Sequence, residues 1–245
     1  MWLLFLKFQF VGEIKSETGA AMDVFKQSPT DEDFVQDPYP AYEAMRTCGE
    51  VVFWQDYGMA AAVSHAAVQN ILRSKSFARV PPPGFEVPLA WDGLPSFAAL
   101  EDASMLSNEA PRHTALRRSV LTAFTSARVE ALTPWIEGLC RELLDRFPSH
   151  GEPFDLLEAY ATPIPVLTIA HMLGQPAQMA GDLLAWSHAM VRLYTSNPSD
   201  TDRTLAETAS AAFMSHLKSS FSELQPSRSG TLAQALLVEH REGCL

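Results

Sequence analysis

Three cysteines in 245 residues, Cys48, Cys140 and Cys244, are too few and too scattered for a disulfide scaffold or a cysteine-rich zinc site. Basic residues are also scarce. Eighteen Lys and Arg stand against 29 Asp and Glu, a formal net charge of −11 with no block of like charge. That balance argues against a nucleic-acid partner. No apolar run approaches the ~20 residues of a helical membrane span. The run from Met1 to Leu6 is cut by Lys7, and it has neither the preceding positive charge nor the following small-residue site of a signal peptide. No membrane partner is therefore expected, and the location expected is cytoplasmic. Common catalytic signatures are missing too: His-Glu-x-x-His, Gly-x-Ser-x-Gly and both glycine-rich phosphate loops. The seven histidines include no close pair at ligand spacing, so no metal site and no catalytic residue is predicted from them.

What is present is an ordinary globular composition, 47% hydrophobic and 19% charged, of a length suited to one large domain or two small ones. Residues 1–21 read as an extension or a mis-started N-terminus, because Met22 opens a segment typical of a soluble N-terminus. The pattern then predicts a short helix from Asp37-Pro38 to Cys48-Gly49. Two short strands follow, at 51–54 and 59–63, joined by an Asp56-Tyr57-Gly58 turn. Ser64 is a good N-cap for the helix after them.

Residues 78–108 hold five of the 17 prolines and Gly84 and Gly93, which excludes a continuous helix and predicts a long loop. Its large apolar residues, Trp91, Leu94 and Phe97 among them, imply that it covers or lines something. Beyond it, helices are predicted at 109–124, 127–147, 156–173, 177–195, 201–224 and 231–241. Pro163 and Pro165 should delay the regular part of the third of these to Val166. The fold class is mainly α with a minor N-terminal β element.

One helix carries unusual chemistry. His113 and Arg117 are four residues apart and share a face. At about 100° per residue, Leu116, Val120 and Phe124 fall in the same sector, so that face should be buried. A buried guanidinium needs an anion. That anion is either a carboxylate of this chain or one from outside it. Spacing alone does not decide, because His188 and Arg192 repeat it.

The wider string NEAPRHTALRRSVLTAFTSARVEAL resembles the C-helix region of the cytochrome P450 haem-thiolate monooxygenases, soluble bacterial members above all. Further pieces follow in the family's order: DPYPAYEAMR its first helix, VVFW and MAAAVS its first sheet, VQNILRSKSFAR its B helix, TIAHMLGQP the end of its E helix. The resemblance covers about residues 23–245, so residues 22–245 are expected to form a partial P450 domain. It implies haem b as cofactor, with His113 and Arg117 donating to the two propionates while Arg112 and Arg118 stay solvated. It implies a small apolar substrate, with residues 78–108 roofing its pocket and residues near 190–203 as a mobile lid. It also implies a ferredoxin or flavoprotein electron donor, for which Arg112 and Arg118, with Arg73 and Lys75, would form a docking patch.

The chain departs from the family in one large respect. None of its three cysteines lies in the Phe-x-x-Gly-x-x-x-Cys-x-Gly loop that supplies the proximal thiolate. Neither the central helix with its acid-alcohol pair nor a Glu-x-x-Arg helix in the right context follows. The expectation is a P450 fold truncated before the central helix, with no iron ligand in the chain and no turnover by this chain alone. The alternative is a non-catalytic helical protein that binds a small molecule or a partner. The nucleotide sequence after codon 245 discriminates: an adjoining frame encoding the cysteine loop supports the first.

Overall fold

The computed structural model describes residues 22–78, 91–147, 153–195, 197–227 and 230–241, and the expectation for residues 1–21 lies outside them. The chain divides into two compact units, residues 1–88 and 89–245.

The first unit is built on a three-stranded sheet in the order β1-β2-β3, with β1 Val24–Phe25, β2 Val51–Trp54 and β3 Met59–Ala62. The predicted strands β2 and β3 pair antiparallel, Val51 opposite Ala62 and Trp54 opposite Met59. Gly58 closes the turn with φ +62, a left-handed conformation that glycine adopts without a Cβ clash. β1, which has no counterpart in the sequence reading, adds in parallel to β2, Val24 opposite Phe53. Alternation sends Val52 and Trp54 inward, where they pack with Met45 and Ala61. The Trp54 indole N–H donates to the Gln27 carbonyl at 2.7 Å, which satisfies the one polar atom of that buried ring.

Among the described residues, three helices join the sheet in this unit: α1 Glu32–Gln36, α2 Tyr39–Cys48 and α3 His65–Arg73. Ser64 caps α3 as predicted, its hydroxyl oxygen accepting from the Ala67 amide at 3.0 Å.

The second unit is helical. Its elements are α4 Pro95–Ala103, α5 Arg112–Ala123, α6 Ser126–Ala131, α7 Thr133–Asp145, α8 Pro163–Leu173, α9 Ala180–Val191, α10 Asp200–Glu223 and α11 Leu232–Arg241. The predicted helix over 127–147 is two helices, α6 and α7, because Pro134 falls in the first turn of α7 and resets the ladder there. The start expected at Val166 is also corrected. A π turn at Leu157–Ala161 runs into α8, which begins at Pro163 itself. Both prolines sit in its first turn, where a missing amide costs nothing.

α8 ends at Gly174 with φ +70, as the Gly174-Gln175-Pro176 break implied. A Cβ on Gly174 would lie 2.9 Å from Thr231 Cγ2, so this position also permits close approach to the start of α11. α10 opens with a reciprocal capping box between Ser199 and Asp202. That box holds the Asp202 carboxyl below its ordinary pKa, chiefly through the Ser199 hydroxyl and amide and secondarily through Arg192.

The loop predicted for 78–108 is corrected where it is described. Residues 95–103 form α4, and Met105–Ser107 form a 3-10 turn. Pro95 is no obstacle because it lies at the helix start. The expectation that this segment covers something holds: Leu94 and Phe97 are buried with Leu193 and Ala206, and Trp91 and Met190 pack around them.

Candidate functional site

α5 begins just after Pro111 and carries His113, Arg117, Leu121 and Phe124 along one side. Its packed side is elsewhere. Ser119 is 1% exposed, and α5 lies against α11 and the Met105–Ser107 turn. At about 100° per residue, Ser119 points roughly 160° away from Arg117. The expectation that His113 and Arg117 share the buried face is therefore corrected: His113 is half-buried and Arg117 is exposed. The reason is tertiary. α5 packs with Ser119 buried and Leu116 and Val120 half-buried, which leaves Arg117 on the open side.

Leu121 is 55% exposed and Phe124 43% exposed beside Arg117. Among the described residues, neither the His113 nor the Arg117 side chain has a hydrogen-bond or ion-pair partner. One side of α5 thus offers two nitrogen donors next to two uncovered apolar side chains. Such a donor set fits a ligand with anionic groups on one edge and a broad apolar body, and haem with its two propionates has that character.

The neighbouring arginines differ. Arg112 pairs with Asp102 at 3.3 Å, both side chains being more than half exposed. It is solvated, as expected, but its charge is partly offset within the chain. Arg73 and Lys75 belong to the first unit, Arg112 and Arg118 to the second. Cys48 is exposed. Cys140 hydrogen-bonds Tyr160, which raises the phenol above its ordinary pKa. Cys244 lies outside the described residues. No group of three or more His, Cys, Asp or Glu side chains converges on a metal-sized site among the described residues, and no described helix is long and apolar enough to cross a membrane.

The structure also joins residues that sequence reasoning did not connect. The Glu207 carboxylate on α10 accepts from the Ser96 amide at 2.8 Å and the Phe97 amide at 3.1 Å. Arg203 donates to the Asp92 carbonyl at 2.6 Å, and the Tyr194 hydroxyl donates to Glu101 at 2.5 Å. Trp91 and Phe97 meet edge-to-face with centroids 4.7 Å apart, and Tyr194 lies about 6 Å from both rings. A groove of about 420 Å³ opens beside these contacts, lined by Gly93, Leu94, Asp200, Arg203 and Glu207 among others. Only a long-range signal could have found these pairs, since their members stand roughly a hundred residues apart.

Comparison with known proteins gives the chain relatives in sequence and in fold. No family model matches the chain. The erythromycin C-12 hydroxylase of Saccharopolyspora erythraea is 34% identical over 157 residues, 63% of this chain and 36% of that protein. The cytochrome P450 monooxygenase PikC of Streptomyces venezuelae is 28% identical over 194 residues, 78% of this chain and 45% of that protein. Among solved structures, epothilone B-bound cytochrome P450epoK superposes with a TM-score of 0.74 at 20% identity, over 88% of this chain and 54% of that one. CalO2 gives 0.71 at 23% identity, over 90% and 54%. The chain is similar in sequence to bacterial cytochrome P450s and carries part of their fold. It spans less than half the length of these curated relatives and about half that of the solved chains.

Proposed function

We propose that the chain supplies the propionate-binding helix and the pocket roof of a cytoplasmic haem-thiolate monooxygenase. In the whole enzyme this oxidoreductase inserts one oxygen atom from O2 into a small apolar substrate, with electrons from a ferredoxin or flavoprotein. The observation that carries the reading is the side of α5, where His113 and Arg117 stand without partners beside exposed Leu121 and Phe124. His113 and Arg117 would donate to the two propionates, and Leu121 and Phe124 would lie against the apolar body. Haem bound with a proximal thiolate supplies the oxygen-activating chemistry. The residues of this chain bind and orient it. Residues 91–107 and the corner between α9 and α10 would exclude water from the substrate side. The relatives' names, hydroxylase and monooxygenase, support this assignment.

No cysteine of this chain fits the proximal loop, so the chain alone is not competent in this reading. The test is the carbon monoxide spectrum of reduced protein with added haem. The chain by itself gives no long-wavelength Soret band. Joined to the remaining length of a full-length relative, it gives that band. A band from the chain alone would overturn the assignment of its cysteines.

A further inference from the structure

The first turn of α4 has no cap of its own. Leu94, at the N-cap position, offers no side-chain acceptor, and Pro95 has no amide to satisfy. The first free amides are those of Ser96 and Phe97, and both donate to one carboxylate, Glu207, which comes from α10 more than a hundred residues away. The next amide, Ala98, already bonds Leu94 in the helix. The open end of α4 is therefore satisfied only while α4 rests on α10. Its other end is tied as well: Glu101 accepts from Tyr194 and also from Ser107 at 3.0 Å. Arg203 holds the Asp92 carbonyl just ahead of the helix. Between these ties lies the apolar contact of Leu94, Phe97, Leu193 and Ala206.

We infer that residues 91–103 and the described residues of the corner, 193–195 and 197–207, form one rigid element that opens only as a unit, with Glu207 as the positioning residue that latches it. Lifting α4 alone would strand two amides and a carboxylate and uncover Phe97, so separation of the two parts costs more than their joint movement. Charge assistance makes the latch stronger than a neutral cap. The charged groups beside Glu207 are Asp200 and Arg203, which line the same groove, while Glu101 is engaged at the far end. Under the proposed function this element is the roof of the substrate pocket. The latch itself needs no haem.

Amide exchange followed by mass spectrometry on the full chain tests it. Glu207→Ala should speed exchange in peptides covering 95–103 by about tenfold or more, the scale of a lost charge-assisted bond. Peptides covering 197–207 should accelerate less, because without the latch α4 lifts off by itself, and those from α7 and α8 should not accelerate. Glu207→Gln, which keeps one neutral acceptor, should fall between wild type and Ala. Tyr194→Phe, which loosens the opposite end, should accelerate the same two peptides together, and it serves if Glu207→Ala does not fold. Acceleration of 95–103 without 197–207 in Tyr194→Phe, where the latch is intact, or no acceleration of 95–103 in Glu207→Ala, overturns the inference. Neither result bears on haem binding, which a haem titration reads separately.

Discussion

Glu207 and Ser96 stand 111 residues apart in the chain and 2.8 Å apart in space, carboxylate oxygen to backbone amide. That bond gives α4 an N-cap borrowed from another helix. It also makes the attachment of α4 depend on a titratable group.

The pH dependence follows from the direction of its shift. Burial alone would raise the Glu207 carboxyl, but the hydrogen bonds from Ser96 and Phe97 outweigh it and hold the group below the ordinary glutamate value. A carboxyl depressed in the folded state contributes stability above its unfolded pKa and loses it as pH falls through the folded one. Unfolding should therefore become easier in acid below the usual glutamate range, and Glu207→Gln should reduce that slope. It should not abolish it, because Asp202 in the capping box is depressed as well. Denaturant melts at stepped pH check this. An identical slope in the variant would remove Glu207 from the account.

Gly174 makes a second prediction. Alanine there must adopt φ +70 and meet Thr231 at 2.9 Å. The conformational strain alone costs about 1 kcal/mol or more. Thr231→Ala in the same chain should recover only the steric part. Thermal melts of the single and double variants check this, and full recovery would mean that the backbone conformation carries no strain.

Exposed apolar surface gives the third. Leu121 and Phe124 on α5 and Leu144 and Ile169 on α7 and α8 are all more than 40% exposed. The chain alone should bind an apolar fluorescent dye, and joining it to the rest of a relative should suppress that signal. Equal dye binding in both forms would mean that the added length covers none of these faces.

Local signals were legible where local physics decides. The Ser64 cap, the Gly58 turn and the Gly174 stop each depend on one residue's conformation or one short hydrogen bond, and all three stood in the sequence. α4 was hidden by its prolines, because a proline at the first helical position reads like one that breaks a helix. β1, at two residues, is too short for any periodicity. The exposure of Arg117 was missed for a different reason. The buried side of α5 centres on Ser119, a small polar residue that gives no apolar signal, and of the apolar residues expected there Leu116 and Val120 are half-buried while Phe124 is exposed. Glu207 left no local trace at all, since its partners are in another helix.

The central claim is that the His113 and Arg117 side of α5 receives haem propionates. The most direct measurement is haem affinity of the chain joined to the remaining length of a relative, compared between Arg117→Ala and Arg118→Ala. Loss of a charge-assisted contact at Arg117 costs about 1.5–3 kcal/mol, roughly tenfold or more in affinity. Arg118, exposed and outside that side of the helix, should matter within about 0.5 kcal/mol. Equal losses from the two substitutions, or a larger loss at Arg118, would contradict the assignment.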